Sequence, residues 1–334
     1  MNAPEPLLAD FLRRMRLAPP GEEGCWIPLS GGVSSDIWRV DIAGRSLCVK
    51  RALARLKVAA EWTAPIERNA YEWAYLEVAN EIAPGHVPQP IAQDPEHGLF
   101  AMAWLAPDRH RLWKAELLSG QVNSSDAAAV GDLVGRIHAA TADDPRLRAI
   151  FATDANFHAI RIEPYLLATA RAHPDLADHI GAVASTTAAT KRVLVHGDVS
   201  PKNILLGPDG PILLDAECAW FGDPAFDLAF CLNHLIAKAH VVSSACAELS
   251  RSFDVLVETY LRQVSWEPPS EVERRAAQLL PCLLLARVDG KSPLEYLNDK
   301  QRGILRTNAR HGIIEERTTL CDVKRLLLER PVQS

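Results

Sequence analysis

No run of about 18 uncharged apolar residues occurs anywhere in the chain, so no membrane span is expected. The longest apolar neighbourhood, Leu228 to Cys246, is interrupted by Asn233, His234, Lys238 and His240. Met1 to Arg16 has charges scattered through it and no apolar core of the kind a secretory leader needs, which points to a cytoplasmic protein. Basic excess is also missing. With 36 Lys and Arg against 42 Asp and Glu the net charge is −6, and no nucleic-acid surface is expected. The 7 cysteines are odd in number and never spaced Cys-x-x-Cys, which excludes a disulfide frame and a zinc knuckle and suits a reducing compartment. Internal repeats and low-complexity segments are absent too. What remains, in 334 residues that are 48% hydrophobic and 23% charged, is enough for one large domain or two lobes with substantial cores.

One stretch organises the rest, His196 to Asp227. Val193-Leu194-Val195 reads as a short buried strand, and a polar loop with Asp198 and Asn203 around Pro201 follows it. Ile204-Leu205-Leu206 and Ile212-Leu213-Leu214 then flank Gly207-Pro208-Asp209-Gly210-Pro211, which is strong turn chemistry. A hairpin closed by that turn puts Asn203 and Asp215 at its open end, with Asp198 a few residues away. An amide oxygen and two carboxylates at the mouth of a buried sheet are hard donors that suit magnesium.

Upstream, Leu7 to Leu17 has helical spacing and stops at Pro19-Pro20-Gly21. Ser30-Gly31-Gly32-Val33-Ser34-Ser35 lies between two strand-like runs. Such a loop exposes backbone N–H groups and lets a phosphate approach, although an ordinary glycine hairpin has the same composition. Ser46 to Lys50 reads as a strand ending in lysine. A helix starting near Pro65 carries Arg68, Glu72, Glu77 and Glu81, of which Glu72 is expected to pair with Lys50. Ile91 to Asp94 and Leu99 to Leu105 read as a hairpin turned at Pro95 to Gly98. A lobe boundary is expected near Pro107, giving 1–106 as a nucleotide-binding lobe and 107–334 as a catalytic and substrate-binding lobe. Ser125 is expected to cap a helix with Val130, Leu133, Val134 and Ile137 on one face, where His138 reads as a packed residue and not a ligand. Arg161 to Lys191 and most of the chain after Asp227 read as helical, with breaks at Trp266–Pro269 and Arg287–Pro293. Strands with one helix, then helices with an inserted hairpin, make an α+β chain.

Phosphoryl transfer needs positioning and charge neutralisation more than covalent help. The chain supplies candidates for each part: Ser30, Gly31, Gly32, Ser34 and Ser35 as a cradle, Lys50 held by Glu72 for the phosphates, Asp198 as base, and Asn203, Asp215 and Glu217 for magnesium. His196-Gly197-Asp198 through Asn203, followed by Asp215-Ala216-Glu217, resembles the motif pair of the aminoglycoside phosphotransferase and choline kinase group, relatives of the protein kinases. That resemblance runs from about Leu29 to about His234. It implies a bilobal protein-kinase-like fold, ATP and magnesium as cofactors, Asp198 as the catalytic base, and Asn203 and Asp215 as metal ligands. It further implies adenine contacts along Leu99 to Leu105, including Met102 and Trp104, and a structural role for His196 and for Asp227, which would brace the catalytic loop.

A narrower resemblance links Lys50-Arg51-Ala52-Leu53, Arg55, Trp62, Pro65 and Arg68 to the segment after the lysine strand of methylthioribose kinases. Those enzymes carry serine where Asn203 stands and paired arginines where Arg287 is single. There is no Asp-Phe-Gly, no activation segment and no lysine two residues after Asp198, where Ser200 stands, so a protein substrate is disfavoured. The expected activity is transfer of the ATP γ-phosphate to a hydroxyl of a small sugar-like or amino-alcohol metabolite, with methylthioribose kinase as one alternative and a nucleotide-binding pseudokinase as another. Intact Asp198, Asn203 and Asp215 speak against the pseudokinase, which has no use for a base. Arg287, Asp289 and Lys291 form a polar cluster in an apolar helical region and are expected to recognise the acceptor. Lys and Arg slightly outnumber Asp and Glu over residues 250–334, which does not suit a polycationic drug.

Overall fold

The structure, a computed structural model, describes residues 6–29, 35–53 and 67–329. Ser30, Gly31, Gly32 and Ser34 of the expected cradle, and Arg55, Trp62 and Pro65, lie outside the described residues. The chain divides into two compact units, Met1–Arg109 and His110–Ser334.

The N-terminal unit is built on a five-stranded antiparallel sheet. Helix α1 (Pro6–Arg14) precedes strands β1 (Cys25–Pro28), β2 (Ser35–Ile42) and β3 (Arg45–Ala52). Helix α2 (Arg68–Ile82), β4 (Pro90–Asp94) and β5 (Leu99–Ala103) complete it, in the spatial order β1-β2-β3-β5-β4. Leu8, Phe11 and Leu12 of α1 pack with Val40, Ile42, Leu47, Val49, Leu99 and Ala101, so one face of the sheet is closed by α1. Asp94 takes the N–H of His97, and Gly98, at φ 61°, lets the β4–β5 connection close.

The C-terminal unit is mostly helical. It opens with β6 (Arg111–Leu112), α3 (Trp113–Leu118) and α4 (Ser124–Thr141). The cap of α4 is Asn123, whose side chain accepts the Ser125 N–H, not Ser125 itself. The difference is one of turn geometry, since a capping side chain must lie outside the first helical residue. Short helices α5 (Pro145–Ile150) and α6 (Asp154–Phe157) lead into a π-helical stretch, His158–Leu167, then α7 (Ala168–Ala172) and α8 (Ala177–Ala189). Strand β7 (Val193–Val195) precedes the hairpin β8 (Ile204–Gly207) and β9 (Gly210–Leu213). Strand β10 (Trp220–Gly222) pairs antiparallel with β7, while β6 extends the β8–β9 hairpin. Helices α9 (Ala225–Val241), α10 (Cys246–Leu261), α11 (Pro269–Asp289), α12 (Asp299–Glu315) and α13 (Leu320–Leu328) follow.

Helix α9 is buried nearly all round, which is why its sequence is apolar without a clear face. It is the central helix of the unit, and no single helix among the described residues is long and apolar enough to cross a membrane. All seven cysteines are unbridged. Burial pushes the thiols of Cys48, Cys231 and Cys282 up to about 12, so they pack as small apolar groups.

Helices α4 and α10 approach so closely at Gly131 that a Cβ there would lie 2.4 Å from the Leu256 carbonyl oxygen and 2.5 Å from Thr259 Oγ1. Gly181, in the middle of α8, faces open space. Gly131→Ala is therefore expected to destabilise the C-terminal unit by about 1–3 kcal/mol through overpacking. Gly181→Ala is expected to stabilise it by about 0.5–1 kcal/mol through helix propensity. Urea unfolding followed by circular dichroism checks both signs in one experiment.

Candidate active site

The loop after β7 is held from below. Asp227, in the first turn of α9, is fully buried, and its two oxygens accept the backbone N–H groups of His196 and Gly197 at 2.7 and 2.8 Å. A further partner is remote in sequence: His138, in the last turn of α4, has Nε2 3.2 Å from Asp227 and Nδ1 2.8 Å from the Tyr260 hydroxyl. His138 is thus a packed histidine of α4 that completes the support. Gly197 sits at φ 78°, and a Cβ there would lie 2.7 Å from the Cys218 carbonyl oxygen, so the loop turns where only glycine fits. His196 Nδ1 accepts the Asp198 N–H at 3.1 Å. Burial holds the His196 imidazole below its ordinary range and therefore neutral, against the pull of Asp227 and Asp198.

Asp198 is buried and makes three polar contacts through its carboxylate. Arg161 donates to Oδ2 at 2.8 Å, Lys202 at 3.1 Å, and the Ser200 hydroxyl to Oδ1 at 3.1 Å. Burial alone would raise its pKa. Lys202 and Arg161 outweigh burial and the repulsion from Asp215, and hold the carboxyl below the usual carboxylate range. Arg161 was not legible as a site residue in the sequence. It comes from the π-helical stretch between Ile160 and Ile162, and its Nε also donates to the Gly197 carbonyl. The one available signal was an arginine amid apolar residues of a helical segment, which is a candidate for a buried ion pair.

The hairpin brings Asn203 and Asp215 to its open end, because the Leu214 N–H donates to the Asn203 carbonyl at 2.9 Å. The Asn203 amide nitrogen faces the Asp198 carbonyl at 3.2 Å, so its amide oxygen points away from that contact. Asp215 has φ 65°, the left-handed region, which Asp tolerates better than most residues but still at a cost of about 1 kcal/mol or more. Two residues on, the Glu217 carbonyl accepts from the Asn156 side chain at 3.0 Å. The donor set of an amide oxygen and a carboxylate consists of hard oxygens and fits magnesium, which keeps waters and phosphate oxygens in its remaining positions. Among the described residues no group of three His, Cys, Asp or Glu side chains forms a closed metal cage.

In the N-terminal unit, Lys50 on β3 and Glu72 on α2 form a buried ion pair at 2.6 Å. Ser35 begins β2 opposite Ala52. Met102 on β5 pairs with Cys48, and Trp104 just beyond it carries the Arg39 guanidinium at 5.4 Å. The Arg287–Lys291 cluster disperses. Arg287 is buried against Tyr165, Ser292 and His234. Asp289 receives Arg306 at 2.6 Å and lies 2.9 Å from His173, and Lys291 reaches Glu163 at 2.9 Å. Helix α11 ends at Asp289, so the side chains after it follow a turning backbone and do not share a face.

Residues 26–254 match the family described as Phosphotransferase enzyme family. A methylthioribose kinase of Escherichia coli O45:K1 is 26% identical over 230 residues, 60% of this chain and 54% of that protein. The chain spans about half the length of the curated relatives it matches. Among solved structures, the Plasmodium vivax ethanolamine kinase superposes with a TM-score of 0.56 at 12% identity, over 88% of this chain and 83% of that one. The APH(2")-IIa protein, solved as a ternary complex with streptomycin and ATP, gives 0.51 at 13% identity, over 97% and 99%. At such identities the structural likeness shows the fold, which is the α+β kinase-like one. With the family match covering well over half of its length, the chain belongs to the phosphotransferase enzyme family.

Proposed function

We propose that the protein transfers the γ-phosphoryl group of ATP to a hydroxyl of a small metabolite, with Asp198 as the base. The observation that carries this reading is the state of Asp198, a buried carboxylate kept ionised by Lys202 and Arg161 on a loop clamped by Asp227. A carboxylate so held is a weak proton acceptor in the ground state. It suits a reaction in which the acceptor oxygen becomes acidic only as its bond to phosphorus forms.

In this mechanism Asp198 Oδ accepts a hydrogen bond from the acceptor hydroxyl and aligns it. The hydroxyl oxygen bonds to the γ-phosphorus as the bond to the β-phosphate oxygen breaks, ADP leaves, and the proton passes to Asp198. Asn203 and Asp215 would hold magnesium, with Glu217 acting directly or through water. Bound there, the ion would supply neutralisation of charge on the phosphate oxygens. Lys50, fixed by Glu72, is proposed to contact the nucleotide phosphates, Ser30 to Ser35 to cradle them, and Met102 and Trp104 to contact adenine. The APH(2")-IIa complex with ATP supports the nucleotide, since the two chains share the fold. Free buried thiols fit a reducing cytoplasm. Methylthioribose as acceptor is a second reading, favoured by the relatives that are methylthioribose kinases.

Asp198→Asn is expected to lower kcat by roughly 10²–10⁴-fold while leaving ATP affinity nearly unchanged. Unaltered turnover in that variant would sink the mechanism. Asp198 stays ionised above a pKa that lies under the ordinary carboxylate value, so its protonation cannot set a wild-type acid limb near or above that value. Lys202→Met, at an exposed side chain, removes the leading cation and is expected to move the acid limb of kcat/KM to higher pH. A pH–rate series on both proteins checks the direction.

A further inference from the structure

Resting on the reading of the chain as a kinase of a small alcohol, we propose that the acceptor carries an anionic group, a carboxylate or a phosphate, bound by Arg287 and Lys238. Among the described residues these two cations are buried with no carboxylate paired to them. Other arginines of the C-terminal unit are compensated: the buried Arg161 by Asp198, and the half-buried Arg275 by Asp223 and Glu267 at 3.1 and 2.8 Å. Arg287, 6% exposed, has only neutral partners among the described residues. It donates to the Tyr165 hydroxyl at 3.1 Å, to the Ser292 carbonyl and hydroxyl at 2.8 Å each, and to His234 Nε2 at 3.3 Å, and its own Nε has no partner. Lys238, 1% exposed, has among the described residues only the Tyr296 hydroxyl at 3.3 Å and the Tyr296 ring at 5.1 Å.

The surroundings add positive charge. Lys114 Nζ lies 5.8 Å from the centroid of the same Tyr296 ring. The acid nearby, Glu295, is largely exposed and already paired with Lys114. Burial, with Arg287 and Lys238 beside it, holds His234 well below its ordinary range, so it is a neutral acceptor for Arg287. Burial, then Lys114 and Arg287, push the Lys238 ammonium down to about 7. A guanidinium, unlike an ammonium, stays protonated in proteins. A buried ion without a partner is destabilising, and a bound anion relieves that while accepting the unused N–H groups.

The site adjoins the base. Arg287 and Arg161 lie over the same two rings, Tyr165 at 5.5 and 5.6 Å and Phe230 at 5.9 and 5.5 Å, and Arg161 holds Asp198. An alcohol whose hydroxyl meets Asp198 can therefore place an anionic group a few bonds away against Arg287 and Lys238. The same field disfavours cationic acceptors, which would meet uncompensated like charge. Arg287 thus keeps the role expected of it, but with Lys238 and without Asp289 and Lys291, which are occupied elsewhere.

The test uses the full chain near neutral pH in buffer free of phosphate and sulfate. Thermal shifts and titrations with sodium D-glycerate, sn-glycerol 3-phosphate, glycerol and choline are compared at matched ionic strength, followed by ATP consumption with the same probes and methylthioribose. Glycerate or glycerol 3-phosphate is expected to raise the wild-type Tm and to show the highest kcat/KM, the better of the two deciding between carboxylate and phosphate. Its Kd is expected to weaken at least tenfold in Lys238→Met and in Arg287→Met. Lys238→Met is also expected to be no less stable than wild type without ligand, so it carries the test if Arg287→Met fails to fold. Binding of neither anion, or anion binding unchanged in Lys238→Met, overturns the proposal. So does a higher kcat/KM for glycerol, choline or methylthioribose than for either anion. If no probe consumes ATP while the Lys238-dependent anion shift persists, the kinase reading fails and the anion site stands.

Discussion

The hydrogen bonds from the backbone of His196 and Gly197 to Asp227 are the constraint on which the rest of the candidate site depends. A carboxylate with no exposure to water needs its oxygens satisfied, and two main-chain donors with a histidine behind them do this without a cation. The consequence is geometric. Once the loop start is fixed, the left-handed turn at Gly197 directs Asp198 toward Arg161 and Lys202, and the chain then runs through Pro201 into the hairpin that carries Asn203 and Asp215.

Charge is distributed unevenly over the C-terminal unit, and the unevenness has chemical meaning. Asp198 is compensated by two cations and remains anionic, whereas Arg287 and Lys238 are buried with neutral partners. Tyr165 and Phe230 are shared by the two regions, each lying within 6 Å of both the Arg161 and the Arg287 guanidinium. Aromatic rings tolerate cations near their faces, so neither arginine is left against a purely apolar wall. The π-helical turn at His158–Leu167 matters here, since it supplies both Arg161 and Tyr165. Irregular helical turns of this type reposition side chains that a regular helix would carry elsewhere.

Much of the architecture was legible because it is local. The β8–β9 hairpin follows from a glycine- and proline-rich turn between two apolar runs, and the β4–β5 hairpin from Pro95 to Gly98. The pairing of Lys50 with Glu72 followed from company in sequence and is present. Strand β10 was not anticipated, because Trp220-Phe221-Gly222 is too short to show a period and is defined only by its pairing with β7. The cap of α4 was misplaced by two residues, from Ser125 to Asn123, since both residue types cap and only backbone geometry chooses.

By itself the sequence determined the identity and order of the chemical groups: Asp198, Asn203 and Asp215 bracketing a hairpin, after a lysine strand and an acidic helix. Those features are short-range, so composition and spacing carry them. Tertiary structure alone decided which charges are neutralised. Arg161 meets Asp198 from another segment, Asp289 and Lys291 are drawn off to Arg306, His173 and Glu163, and Arg287 is left with Lys238 in a neutral-lined interior. Ion pairing depends on distances between residues far apart in the chain and on the water excluded around them, and neither is written in any local pattern.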